Sequence, residues 1–371
     1  MFRPGNVKEH CTTRATPEPR SSHWNRVCIL ADDLTGACDA AAAFLRTGQQ
    51  VRIWFDAEAR FSAREPVQSF NTASRALPDQ EAAEVVSRAA AGLDLTPDTL
   101  IFKKVDSVAR GPLAAELLAA QSALGTRAIL LAPAFPAAGR TVCNGILEIE
   151  DVAGQHKLIN LAHLFPSEIR SRIARLDHHE KIAQAIEDGA TVLLCGATTQ
   201  NELDDLVRVA EKIPGLLYAG SAGLAQAIAN LRAPAASAAP AAPMPTAERV
   251  LLVVGSDHPV TLLQLSKLDR EAFDGLSVLQ VWTQRDRALI RRAFETQTPQ
   301  ALILTGGDTA LLAVRALQAH SFILRGEVAP GIPWGIVAGG SADGCAVVTK
   351  SGGFGAPSAF NDILAAFRGS L

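Results

Sequence analysis

From residue 26 onward, short runs of apolar and β-branched residues alternate with longer stretches rich in Ala, Leu, Glu and Arg. RVCILA (26–31), VRIWF (51–55), TLIFKK (99–104), RAILLAP (127–133), TVLLCG (191–196) and GLLYAG (215–220) are short and almost continuously apolar, which reads as buried strands. The segments 80–93, 112–124, 179–188 and 200–213 between them are predicted helices. A strand that returns to a sheet through a helix runs parallel to its neighbour, so this rhythm predicts an α/β fold with a largely parallel sheet.

The rhythm breaks at RAPAASAAPAAPMPTAE (232–248), where small residues and prolines favour neither helix nor strand and an interdomain linker is expected. It then resumes with RVLLVVGS (249–256), a helix near 259–270, LSVLQVW (276–282), a helix near 285–296, ALILTGG (301–307), a helix near 308–320 and further short apolar runs. The expectation is a tail over 1–25, α/β domains over 26–231 and 249–371, and the linker between them. The length of 371 residues agrees, being too great for one ordinary core.

Composition narrows the function. A hydrophobic share of 48% with 20% charged residues is that of a well-filled globular protein. The net charge of −3 leaves no basic excess to displace counterions from a phosphate backbone, so nucleic acid is not an expected partner. No run approaches the ~18 apolar residues of a membrane span, and the first 25 residues lack the apolar stretch of a secretory signal. The six cysteines form no C-x-x-C pair, which fits reduced thiols in a cytoplasmic protein. The eight histidines show no zinc-binding spacing, and metal ligands stay unassigned.

Ligands of open α/β sheets sit beyond the carboxyl ends of the strands. In the first domain these positions carry Asp32, Asp33 and Thr35, then Ser74 and Arg75, then Lys103, Lys104, Asp106, Ser107 and Arg110, then Arg140 and Thr141. Asp33 or Thr35 alone could be a helix N-cap. Successive strand ends that mix acids with Arg and Lys point instead to a pocket for a small anionic molecule bearing hydroxyls. Arg75, Arg110 and a lysine would hold its carboxylate, and the acids would accept from its hydroxyls.

The second domain places glycines at the same positions: Gly255-Ser256, Gly306-Gly307-Asp308-Thr309, VAGGSADG (337–344), and Lys350 followed by SGGFG. Glycine lets backbone N–H groups approach phosphate oxygens at a helix start, although a single pair would as readily build a turn. Lys350 is a candidate phosphate contact or a solvated flanking residue. No Walker motif is present, and GSAGLA (220–225) lacks the third glycine of a dinucleotide fingerprint.

ADDLTGACDA (31–40), SR (74–75), KKVDSVARG (103–111), PAFPAAGRT (133–141), GSAGLA, GSDHPVTLLQ (255–264), LTGGDTA (304–310) and TKSGGFG (349–355) together resemble the four-carbon acid sugar kinase family across about 26–367. The resemblance implies an ATP- and Mg²⁺-dependent kinase that phosphorylates the terminal hydroxyl of a threonate, erythronate or 3-oxo-tetronate type acid. It puts substrate contacts on Asp32, Asp33, Ser74, Arg75, Lys104, Asp106 and Arg110, and nucleotide contacts on Ser256, Gly306, Gly307, Asp308, Thr309 and Gly353. It assigns no Mg²⁺ ligands; Asp308 and Asp343 could serve, or each could simply cap a helix or build a turn. Departures include Cys195-Gly196, where relatives carry Asp-Ala, and His258, where Ser is common.

Phosphoryl transfer then gives the paired acids a task, with Asp33 or Asp32 orienting the acceptor hydroxyl or taking its proton. Neighbouring residues at a strand end point to opposite faces, so one acid is expected to face the substrate while the other caps the helix. The rival reading is a two-domain sensor of a sugar acid or nucleotide without chemistry. Association into a homodimer is left open.

Overall fold

The computed structural model describes residues 24–57, 65–150, 154–232, 242–283 and 286–369. Most of the expected tail and residues 233–241 of the expected linker lie outside them. The first block runs β1 (Arg26–Ala31), α1 (Leu34–Ala42), β2 (Val51–Trp54), β3 (Val67–Asn71), α2 (Asp79–Ala91), β4 (Thr99–Lys104), α3 (Leu113–Leu124) and β5 (Ala128–Ala132). A small antiparallel sheet of β6 (Arg140–Cys143), β7 (Ile146–Glu150) and β8 (His156–Asn160) follows. The block ends with α4 (Ser167–Arg170), β9 (Ile173–Leu176), α5 (Ile182–Glu187), β10 (Val192–Cys195), α6 (Gln200–Ala210), β11 (Leu216–Gly220) and α7 (Ala222–Arg232).

The second block runs β12 (Val250–Val254), α8 (Pro259–Ser266), β13 (Leu276–Gln280), α9 (Arg287–Gln297), β14 (Ala301–Thr305) and α10 (Gly307–Ala316). Three further strands, β15 (Ser321–Ala329), β16 (Ile332–Ala338) and β17 (Ala346–Lys350), precede α11 (Ala359–Phe367).

The α/β expectation is met, with one difference: the two parallel sheets are joined edge to edge into one sheet of 14 strands, ordered β13-β12-β14-β17-β16-β15-β2-β3-β1-β4-β11-β5-β10-β9. The joint is antiparallel, Ser321 opposite Trp54 through Leu324 opposite Val51. It satisfies backbone groups that β2 would otherwise expose as an edge strand. All residues of β3, β4, β5 and β12 are buried, and β5 and β12, apolar throughout, read as continuous runs without alternation for that reason.

The joint also decides where the strand ends meet. The pairings of β2 with β15, β15 with β16 and β16 with β17 are all antiparallel, so the two parallel blocks run in opposite senses along the sheet. Six strand steps separate β1 from β14. At roughly 20–25° per step the twist turns the chain direction by about 120–150°, which brings the two carboxyl edges back toward each other.

Helix α1 fills the space between them. Its Gly36, Ala37, Cys38, Ala40, Ala41 and Ala42 are buried, small enough for it to pack against α10 of the second block as well as its own sheet. One apolar cluster accordingly runs from Val27 to Val347 through both blocks, and a second lies beneath α11. Among the described residues no helix is long and apolar enough to cross a membrane.

Candidate functional site

Each block reverses its winding at one place: β1 lies between β3 and β4, and β12 between β13 and β14. Such switch points open a crevice at the carboxyl ends of the strands. A cleft lies at the first of these, lined by Asp33, Thr35, Gly36, Asp39, Arg75, Lys104, Asp106, Ser107, Arg110 and Phe135 from the first block. Gly331, Pro333, Thr349, Ser351 and Phe354 line it from the second.

The two adjacent aspartates take unequal positions. Asp33 is the N-cap of α1, Oδ1 accepting from Gly36 N at 2.8 Å and Oδ2 from the Thr35 hydroxyl at 2.7 Å, and it also lines the cleft. The expected division of labour is therefore overturned, because the capping acid is the one that faces the cleft. Asp32 turns inward, only 3% exposed, and holds Arg75 through two bonds of 2.9 Å, Nε to Oδ2 and Nη2 to Oδ1.

Arg75 is the hub of the acids. Besides Asp32 it reaches Asp33 at 2.8 Å and Asp106 at 3.6 Å. Asp106 is also bound by Arg110, with Nη2 to Oδ2 at 2.6 Å, and accepts from the amides of Val108 and Arg110. Burial pushes the Asp32 and Asp106 carboxyls up, but the Arg75 charge for Asp32, and Arg110 with Arg75 for Asp106, override it. Both end below the ordinary range, Asp106 at about 2. The same three acids hold the Arg75 guanidinium firmly protonated. Arg110, with two thirds of its side chain exposed, is the freer cation.

Strand alternation separates the two lysines of β4. Lys103 forms a fully buried pair with Glu116 of α3 at 2.6 Å, whereas Lys104 lines the cleft with Nζ donating to Val105 O at 2.8 Å. Ser74 does not reach the cleft, being fully buried with its hydroxyl 2.7 Å from that of Thr72. Arg140 and Thr141 belong to β6 and do not line it either.

On the other side three loops converge. Ser256 Oγ accepts from His258 N at 3.3 Å, and the Thr261 hydroxyl donates to Gly352 O at 2.8 Å. A β-carbon on Gly352 would overlap Ser256 Oγ, and one on Gly353 would stand 3.2 Å from His258 Nε2. His258 caps α8 with its ring, Nδ1 accepting from Val260 N. Gly306 has φ +95° and donates to Lys350 O at 2.8 Å, and α10 starts without any side-chain cap. Thr309 is buried against Gly255, while Asp308 is exposed in the first turn of α10.

Lys350 is not a surface residue. Its buried Nζ donates to the carbonyls of Ser351 (2.9 Å) and Phe354 (3.2 Å) and lies over the Phe360 ring, and burial lowers its pKa to about 8. It holds the shape of the SGGFG loop from beneath. The motif GSAGLA serves packing: Ser221 donates to Ala134 O, and β-carbons at Gly220 and Gly223 would run into Ala132 O and Ala134 O.

The two halves touch at Asp33 and Gly307, where a β-carbon on the glycine would stand 2.8 Å from Asp33 Oδ2. Sequence reasoning missed Asp39, Thr349 and Phe354 as cleft residues. The signal for Asp39 was its spacing of three from Gly36 and four from Thr35, which puts all of them on one face of α1.

Residues 27–228 match the family model described as a sugar-binding N-terminal domain, and residues 283–360 match that of a nucleotide-binding C-terminal domain. The chain is 30% identical over 390 residues to a D-threonate kinase of Bordetella bronchiseptica, covering 88% of this chain and 94% of the relative. It is 26% identical over 414 residues to a D-threonate kinase of Salmonella typhimurium, covering 91% and 97%. A 3-oxo-tetronate kinase of Brucella melitensis is 24% identical over 425 residues, covering 92% and 96%. The fold is shared with a crystal structure from Haemophilus influenzae at a TM-score of 0.67 and 20% identity, covering 92% of this chain and 100% of that one.

Proposed function

This chain belongs to the four-carbon acid sugar kinase family, and we propose that it transfers the γ-phosphoryl group of ATP to the terminal hydroxyl of a four-carbon sugar acid. Residues 26–231 hold the acid and residues 249–371 the nucleotide. The observation that carries this reading is the meeting of Asp33, at the end of β1, with the uncapped glycine turn at the start of α10.

The chain's own groups divide the work. Lys104 and Arg110 bind the substrate carboxylate through charge-assisted hydrogen bonds. Arg75, engaged by Asp32, Asp33 and Asp106, positions those acids. This differs from the expectation that Arg75 would grip the substrate, because its donors already face protein carboxylates. Asp33, locked by Gly36 N, Thr35 and Arg75, accepts the proton of the attacked hydroxyl or aims it. Buried positions give Asp32 and Ser74 structural roles beside the pocket.

ATP fits the second block by a cradle that side chains would fill: glycine at 306, 307, 352 and 353, with Ser256 and Thr309 beside it. Bound ATP·Mg²⁺ supplies the phosphoryl group with its charge neutralised. Magnesium ordinarily takes one or two carboxylates beside phosphate oxygens and water, and the exposed Asp308 meets that need. Asp343 does not, since it binds Gly339 N ahead of β17, at the end of the strand away from the cleft.

The test is ADP release by purified protein with Mg²⁺, ATP and D-threonate, D-erythronate or 3-oxo-tetronate in turn. Turnover on at least one is expected. Binding of ATP without turnover of any sugar acid would refute the reading and favour the sensor.

A further inference from the structure

Of the carboxylates that line the cleft, Asp33 is held by Gly36, Thr35 and Arg75, and Asp106 by Arg110 and Arg75. Asp39, half-buried and one turn further along α1, makes no hydrogen bond or ion pair among the described residues. The wall beside it carries the buried Thr349 hydroxyl, which lines the cleft with the Cys38 thiol as its polar neighbour. Between Asp39 and the cationic end lies Gly36, where a β-carbon would stand 3.3 Å from Lys104 Nζ and 3.6 Å from Arg75 Nη2. The missing side chain keeps this stretch of the cleft open as a channel from Arg110 and Lys104 to Asp39, whose charge Lys104 also feels.

A bound hydroxy acid spans such a channel in one sense only. Its carboxylate goes to the cations, and Asp39 is left to meet the hydroxyl-bearing carbons. An ionised carboxylate can only accept hydrogen bonds. A hydroxyl satisfies it, whereas a ketone oxygen at the same carbon would set two acceptors against each other in a partly desolvated site. A site built to bond a hydroxyl rejects the analogue that lacks it because its own polar group is then left unpaired.

We propose that Asp39 accepts a hydrogen bond from an internal hydroxyl of the substrate, so that this chain selects polyhydroxy acids of the threonate or erythronate type over the 3-oxo acid. The assignment rests on the kinase reading and deepens it, making Asp39 a specificity residue in direct contact with substrate. Placing the carboxylate beside Asp39 instead would set like charges together.

The test compares kcat/KM for D-threonate, D-erythronate and 3-oxo-tetronate between wild type and Asp39→Asn. Calorimetric binding of the same acids to both proteins is measured in parallel. Wild type is expected to favour a hydroxy acid over the oxo acid by at least about tenfold. Asn can donate to a ketone, so Asp39→Asn is expected to lower that ratio by at least about tenfold. A wild type that prefers the oxo acid, or a variant that loses all acids in equal proportion, overturns the proposal. If no acid turns over, the kinase reading fails while calorimetry still decides this one. Tighter binding of a hydroxy acid, lost in Asp39→Asn, sustains it, and equal or absent binding overturns it.

Discussion

Oδ2 of Asp33 lies 2.8 Å from the point where a β-carbon on Gly307 would stand, so the end of β1 and the start of α10 meet through a gap that only glycine leaves open. Asp33 cannot swing aside freely, because Gly36 N, the Thr35 hydroxyl and Arg75 all hold it. Gly307→Ala should therefore displace the acid or the turn by several tenths of an ångström. A loss of about 10²-fold in kcat is expected from such a misplacement. Thermal stability should be unchanged or slightly raised, since Ala is the better helix former. Full activity in the variant would show that the two groups need not meet during turnover.

The adjacent aspartates should fail in different ways. Asp33→Asn keeps an N-cap of comparable quality, so stability should change little while kcat falls roughly 10²–10⁴-fold. Asp32→Asn leaves the Arg75 guanidinium short of its main buried partner. Breaking such a pair costs about 3–5 kcal/mol, which urea unfolding would register. Equal destabilisation by the two variants would contradict the inward and outward placement of the pair.

Asp39 should make stability depend on pH. Burial, with smaller additions from Glu327 and Asp33 and against the pull of Lys104, lifts its carboxyl from 3.8 to about 6. A folded pKa above the unfolded one means that the native state binds more protons between these values. Stability therefore falls as pH rises from about 4 to 6, and the full penalty is present at neutral pH. Asp39→Asn should stabilise the ligand-free protein at pH 7.5 by on the order of 1–3 kcal/mol, an advantage that vanishes below about pH 4. Chemical unfolding of both proteins across that range is the measurement. A variant no more stable than wild type at pH 7.5 would deny the penalty.

Lys350 should act on the nucleotide without touching it. Its Nζ satisfies the Ser351 and Phe354 carbonyls beneath the SGGFG loop. Lys350→Met leaves them unpaired, at about 1–3 kcal/mol for each buried group. The expected signature is lower stability and a KM for ATP raised about tenfold or more, with KM for the sugar acid less affected. A larger effect on the sugar acid would remove Lys350 from the nucleotide side.

Much of the first block was legible because its signals are local. RVCILA, TLIFKK and the runs around β5, β10 and β11 have apolar centres, as suits strands buried on both faces, and the observed strands fall within them. The polar strand ends were legible for the same reason: charge begins in the last residues of the strand or just after it. The antiparallel β6–β8 sheet was not legible, and β15–β17 were legible only as short apolar runs without their antiparallel pairing, since pairing between distant segments leaves little trace in either one. Asp39 was hidden inside an Ala-rich helix, where its local sequence looks like an exposed turn of α1.

The amino-acid sequence by itself determined the α/β class, the strand ends that carry charge or glycine, and the family, because periodicity, turn residues and motif order are properties of neighbouring residues. Only the tertiary structure decided which of two adjacent acids faces the cleft, which lysine of β4 is available, and that Arg75 gathers acids. It also decided that the two sheets join into one whose twist brings β1 and β14 together. Those outcomes depend on the direction of side chains after distant strands pair and on the burial that follows, and neither exists until the chain is folded.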